Sequence, residues 1–166
     1  ALRLGANLAP RRLGVGTALM VLALVVARHD TVGQVGHGGS SHRVTEISSG
    51  FSELEHTADC ELEVWGPDMA ALLEAAARGM YGLMGVEPAE GARRSRRIEF
   101  ETADREALLV DFLAELLYLG EAEGRAYDEF DLDVSDNGLT GTIGGTLIVS
   151  QTKEIKAVTF HRLHIR

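Results

Sequence analysis

Two stretches of this 166-residue chain place apolar side chains at helical spacing over so wide an arc that each needs a sheet to cover it. The first runs through Met69, Leu72, Leu73, Ala76, Met80 and Leu83, with Pro67 placed for a first turn and Gly85 for a stop. The second runs through Leu108, Leu109, Phe112, Leu113, Leu116 and Leu117, with Asp104 placed to cap it and Asp111 and Glu115 on the opposite side. Around them the text alternates with period two: Cys60–Trp65 (CELEVW), Arg97–Glu101 (RIEFE), Tyr127–Val134, Leu139–Val149 and Ile155–Ile165. Asp136-Asn137-Gly138 between two of these segments reads as a hairpin turn. The order strand, helix, strand, helix and then a strand-rich end predicts an α+β single domain, two helices packed on a mostly antiparallel mixed sheet.

Length supports one domain with a real core, and 45% hydrophobic with 25% charged residues excludes a disordered or collagen-like chain. Net charge is −9, distributed unevenly. Residues 1–45 hold five arginines against Asp30, a local charge of +4, which leaves −13 on the rest. So acidic a domain is repelled by phosphate backbones, and any work on RNA is expected to pass through a basic protein partner. Cys60 is the only cysteine, so neither an intrachain disulfide nor a thiolate metal cluster can form, and a reducing, cytoplasmic setting fits. Cys60 itself reads as a small apolar strand residue.

Leu13–Ala27 (LGVGTALMVLALVVA) is an apolar run of signal-peptide length preceded by Arg11 and Arg12. It is short for a membrane span, and no small-x-small cleavage site follows it. A signal or anchor, a stray upstream extension and an extra docking helix all remain open. Thr31–Ser41 (TVGQVGHGGSS) after it is a Gly/Ser-rich linker.

Chemistry could reside in two clusters. Glu53, Glu55, His56 and Asp59 precede the first clear strand; their hard oxygen donors suit a divalent cation, while His56 and Asp59 serve equally well as turn and capping residues. In the second cluster, Lys153 and Lys156 are the only lysines among sixteen basic residues, so a compact ammonium stands out in a chain that otherwise uses arginine. Lys156 and His161 have opposite parity on a regular strand and share a pocket only if a bulge intervenes or the site lies at a strand end. His164 has the parity of Lys156 and reads as an exposed strand residue. Asp133, Ser135, Asn137 and Gly138 echo a calcium loop, but Gly144 stands where its bidentate glutamate is required, and the hairpin is the better account. No phosphate loop, nucleophile elbow or zinc signature is present.

Four blocks in order, Phe51–Asp59 (FSELEHTAD), Leu72–Met84 (LLEAAARGMYGLM), Leu108–Leu119 (LLVDFLAELLYL) and Glu154–His161 (EIKAVTFH), resemble the archease family, small acidic proteins that assist the GTP-dependent RNA ligase of tRNA splicing. The resemblance spans about Phe51 to Arg166 and rests most on the His-Thr-Ala-Asp and Glu-Ile-Lys-Ala-Val-Thr-aromatic-His motifs. It implies a protein cofactor and not an enzyme, one that promotes ligase guanylylation and multiple turnover and meets tRNA only through the ligase, away from membranes. It places the functional aspartate on Asp59, a metal ligand with calcium the associated ion, and the functional lysine on Lys156, with His56 and His161 in the same motifs. Residues 1–45 are foreign to the family and are read as an extension and linker outside the fold. Residues 46–166 are read as the domain, lacking the further strand with which family members continue. The competing readings are a small metal-dependent hydrolase using His56, Asp59 and His161, and an acidic chaperone or adaptor.

Overall fold

Each helix begins where an aspartate can satisfy open backbone N–H groups. Asp68, in extended conformation, accepts a hydrogen bond from the Ala71 N–H at 2.8 Å and starts helix α1 (Met69–Met84). Asp104 accepts from the N–H groups of Glu106 and Ala107 at 2.9 and 3.1 Å and starts α2 (Arg105–Glu123). Both helices stop at a left-handed glycine, Gly85 with φ 60° and Gly124 with φ 63°. Leu72, Leu73, Ala76 and Met80 of α1 are fully buried, as are Leu109, Phe112 and Leu113 of α2.

The molecule is known here from a computed structural model that describes residues 18–29, 48–54, 60–159, 163 and 165. Its strands are β1 (Ala18–His29), β2 (Gly50–Leu54), β3 (Cys60–Gly66), β4 (Glu87–Pro88), β5 (Arg94–Glu101), β6 (Arg125–Ser135), β7 (Gly138–Ser150) and β8 (Lys153–Thr159). They form two sheets, one in the order β2-β3-β1-β8 and the other β4-β7-β5 with β6 also paired to β7. Four of the pairings are antiparallel, and β1 pairs in parallel with both β3 and β8. The α+β class, the two helices and the mostly antiparallel pairing are as expected, delivered by two sheets where one was expected.

The hairpin from β6 to β7 turns at Asp136-Asn137, and Gly138 follows with φ 144°. A Cβ there would lie 1.9 Å from the Phe100 carbonyl oxygen, so the neighbouring strand leaves room only for glycine. On the helix side of this sheet Phe112 sits edge-on between Phe100 and Phe130, ring centroids 6.5 and 6.1 Å away. Leu62 and Val64, the apolar positions of β3, are fully buried, and Leu62 packs against α1 close to Gly79.

Residues 1–45 do not all lie outside the sheets: Ala18–His29 is strand β1, bonded on both sides. The physical reason is general. A strand paired in parallel on both edges reads as a continuous apolar run, which periodicity cannot separate from a helix or a signal segment. Of the Ile155–Ile165 segment expected from alternation, the structure describes β8 through Thr159, and Leu163 and Ile165 pack against the core.

Candidate functional site

The residues that carry the proposed chemistry divide sharply. Glu55, His56, Asp59, His161 and His164 lie outside the described residues, whereas Glu53, Lys153 and Lys156 lie within them. The described backbone still brings the two motif segments together. β3 begins at Cys60, directly after Asp59, and β8 ends at Thr159, two residues before His161. Across the intervening strand, Leu22 is flanked by Cys60 and Val158, and Ala23 by Glu61 and Thr159. Two strand spacings separate β3 from β8, about 10 Å.

Lys156 sits at a break in register. Ile155 pairs with Met20 and Ala157 with Val21, so Lys156 is the extra residue of a β-bulge. Burial agrees: Ile155 is 5% exposed and Val158 packs on the core, while Lys156 and Ala157 between them are both exposed. One condition that parity set for a shared Lys156 and His161 pocket, a bulge, is therefore present at Lys156 itself.

The two lysines differ in their commitments. Lys153 Nζ lies 3.8 Å from Glu53 Oε1, a pair whose side chains are 38% and 51% exposed and which adds at most about 1 kcal/mol. Lys156 has no ion pair among the described residues. An exposed, unpaired ammonium in an acidic molecule keeps its full capacity to meet an anion on a partner. Glu61, only 7% exposed, adds a carboxylate at the start of β3. Alternation in CELEVW predicted a wet position there and gave no sign of burial.

Other charged groups among the described residues pair with one another. Arg93 donates to both carboxylate oxygens of Asp128 and also pairs with Glu129 Oε1 at 3.0 Å. That hydrogen bond holds the Asp128 carboxyl below the usual carboxylate range. Glu123 at the end of α2 gathers Arg96 at 2.5 Å, Arg94 at 3.6 Å and the Tyr127 hydroxyl at 3.3 Å. A cavity of about 870 Å³ opens between the starts of both helices and the β6–β7 turn, lined by Asp68, Arg105 and Asp136 among others, and Lys156 does not line it.

A family model described as "Archease protein family (MTH1598/TM1083)" matches residues 51–166. The chain belongs to the archease family. The match takes in every described element from β3 onward together with the Phe51–Asp59 and Glu154–His161 segments. The chain is 36% identical over 123 residues to "Protein archease" of Methanothermobacter thermautotrophicus, covering 70% of this chain and 88% of that one. It is 33% identical over 127 residues to the archease of Thermococcus gammatolerans, covering 69% and 87%. The solution structure of Methanobacterium thermoautotrophicum protein 1598 aligns with TM-score 0.50 at 32% identity, over 68% of this chain and 85% of that one. The two-helix α+β fold described above matches that neighbour.

Proposed function

We propose that this archease-family chain activates a GTP-dependent RNA ligase, promoting guanylylation of the ligase and repeated turnover in tRNA splicing and RNA repair. The ligase joins ends bearing a 2′,3′-cyclic phosphate or 3′-phosphate to a 5′-hydroxyl. The observation that supports this reading most is Lys156: exposed, unpaired among the described residues, and raised on a bulge in β8, which β1 separates from β3. Such an ammonium can enter a partner's nucleotide pocket and neutralise a phosphate oxygen there. The acidic balance, −9 overall, favours a basic protein as the contact and tRNA only through it. No helix among the described residues is long and apolar enough to cross a membrane, and a cytoplasmic place of action accords with the single cysteine.

A divalent ion needs several hard oxygen donors converging on one point. The described residues hold no group of three or more His, Cys, Asp or Glu side chains that meets this need. The family resemblance assigns a metal, calcium foremost, to Asp59, where its role would be to position phosphate oxygens. On this reading the chain is a protein cofactor and catalyses nothing alone.

The test is RNA-ligase turnover with limiting ligase, GTP and manganese, with and without this protein. Many ligations per ligase are expected with the wild-type chain, and about one with Asp59→Ala or Lys156→Ala. Turnover that survives both substitutions would sink the reading, and hydrolysis or ligation by this chain without ligase would replace it with an enzymatic one.

A further inference from the structure

Strand β5 is a sheet edge: among the described residues it pairs with β7 on one side and with no strand on the other. Such an edge offers a row of unpaired N–H and C=O groups to any extended chain, and folds commonly blunt it with a proline, a bulge or a short length. β5 uses none of these. It runs eight residues, without proline, in unbroken register against Gly138–Gly145. Charge is the device left, and its order along the strand matters. Arg94, Arg96 and Arg97 occupy the first half, Glu99 and Glu101 the second, and all five are exposed.

A strand of one sign repels its own copy, whereas one that changes sign at its middle attracts a copy lying antiparallel, because each basic half then meets an acidic half. Opposed residues of an antiparallel pair lie on the same face, so a two-fold pair is centred on one residue that faces its own copy. Centring on Arg97 opposes two arginines, and centring on Glu99 opposes two glutamates. Centring on Ile98 opposes Arg97 to Glu99 twice on the solvent face. It also sets the two Ile98 side chains together on the helix side, where Ile98 is 6% exposed and belongs to the core cluster. Within one copy Arg97 and Glu99 are weakly engaged, 3.9 Å apart with side chains 78% and 58% exposed. We infer that β5 is a self-association edge, to which a second copy of this chain adds its own β5 antiparallel, centred on Ile98. Main-chain hydrogen bonds supply the affinity, and the order of charge sets direction and register. Net charge −9 on each copy opposes the contact and one strand pair is a small interface, so the dimer is a transient one. Lys156 lies in the other sheet and plays no part in this contact.

Sedimentation of the full chain at low salt, from about 1 μM to about 1 mM, tests this. The wild-type chain should pass from monomer to dimer as concentration rises, and salt of about 0.5 M should weaken the dimer. Arg97→Glu and Glu99→Arg should each weaken it by roughly tenfold or more, since each opposes like charges twice. An equimolar mixture of the two variants should dimerise again, because one then brings two acids and the other two arginines to the opposed positions. Exchange of the Arg94–Glu101 amides in the wild-type chain should slow as concentration rises. Its absence in a dimeric sample would overturn the inference, whatever the variants do. A wild-type chain that stays monomeric throughout would do the same, as would a dimer that survives both reversals, or folded variants whose mixture stays monomeric. A monomeric wild-type chain that loses ligase binding on Arg97→Glu would overturn the second copy as occupant and assign the edge to a strand of the ligase.

Discussion

At the scale of single residues, the proposed role of Lys156 predicts that function and stability separate there. Its ammonium is exposed and has no ion pair among the described residues, so Lys156→Ala should change folding free energy by no more than about 0.5 kcal/mol in a denaturant titration while removing ligase activation. Lys156→Arg keeps the charge but replaces a compact point charge by a planar fork, and it should leave activation well below wild type. Tyr81 offers a contrast, a residue that matters to the fold alone. Burial pushes its hydroxyl well above the ordinary tyrosine range, and that hydroxyl accepts a hydrogen bond from the Tyr127 N–H at 3.3 Å. Burial raises Tyr127 as well, with Glu123 adding to the shift. Because the folded state holds these phenols neutral, their contribution is complete below the unfolded value of about 10 and declines as pH rises beyond it. Tyr81→Phe should therefore flatten the alkaline fall in stability seen by pH-dependent melting, at the cost of an unsatisfied N–H worth about 1–3 kcal/mol at neutral pH.

At the scale of elements, what sequence made legible is what local chemistry decides. Asp104 announces α2 because its side chain satisfies two N–H groups of the first turn, and Asp104→Ala should cost about 1 kcal/mol in chemical denaturation with the helix otherwise intact. Asp136-Asn137-Gly138 announces the β6–β7 hairpin because the turn must be followed by a residue with positive φ. Strand β1 was not legible, since an apolar run between two parallel neighbours carries no alternation to distinguish it from a helix or a signal segment. Nor was the bulge at Lys156, because a bulge is a mismatch between two strands and one of its parties, β1, was itself unread. Of the candidate site, the motifs suggested the residues, and the topology adds that β3 and β8 run on either side of one strand. The burial of Glu61 depends on what packs over the strand, which CELEVW does not encode.

At the scale of the whole molecule, a chain of net charge −9 joins the sheet that carries the family motifs to a second sheet of β4, β5, β6 and β7, and one core cluster with α1 and α2 spans both. The motif-bearing sheet carries the exposed Lys156, while the aromatic cluster around Phe112 packs in the core. The central claim is that the Asp59 and Lys156 segments act as one site, and a double-mutant cycle on ligase activation tests it most directly. Residues that act as a unit are grossly non-additive. Ligations per ligase should therefore fall as far with Asp59→Ala or Lys156→Ala alone as with both together. Losses that multiply in the double variant would show two independent contributions and contradict the single site.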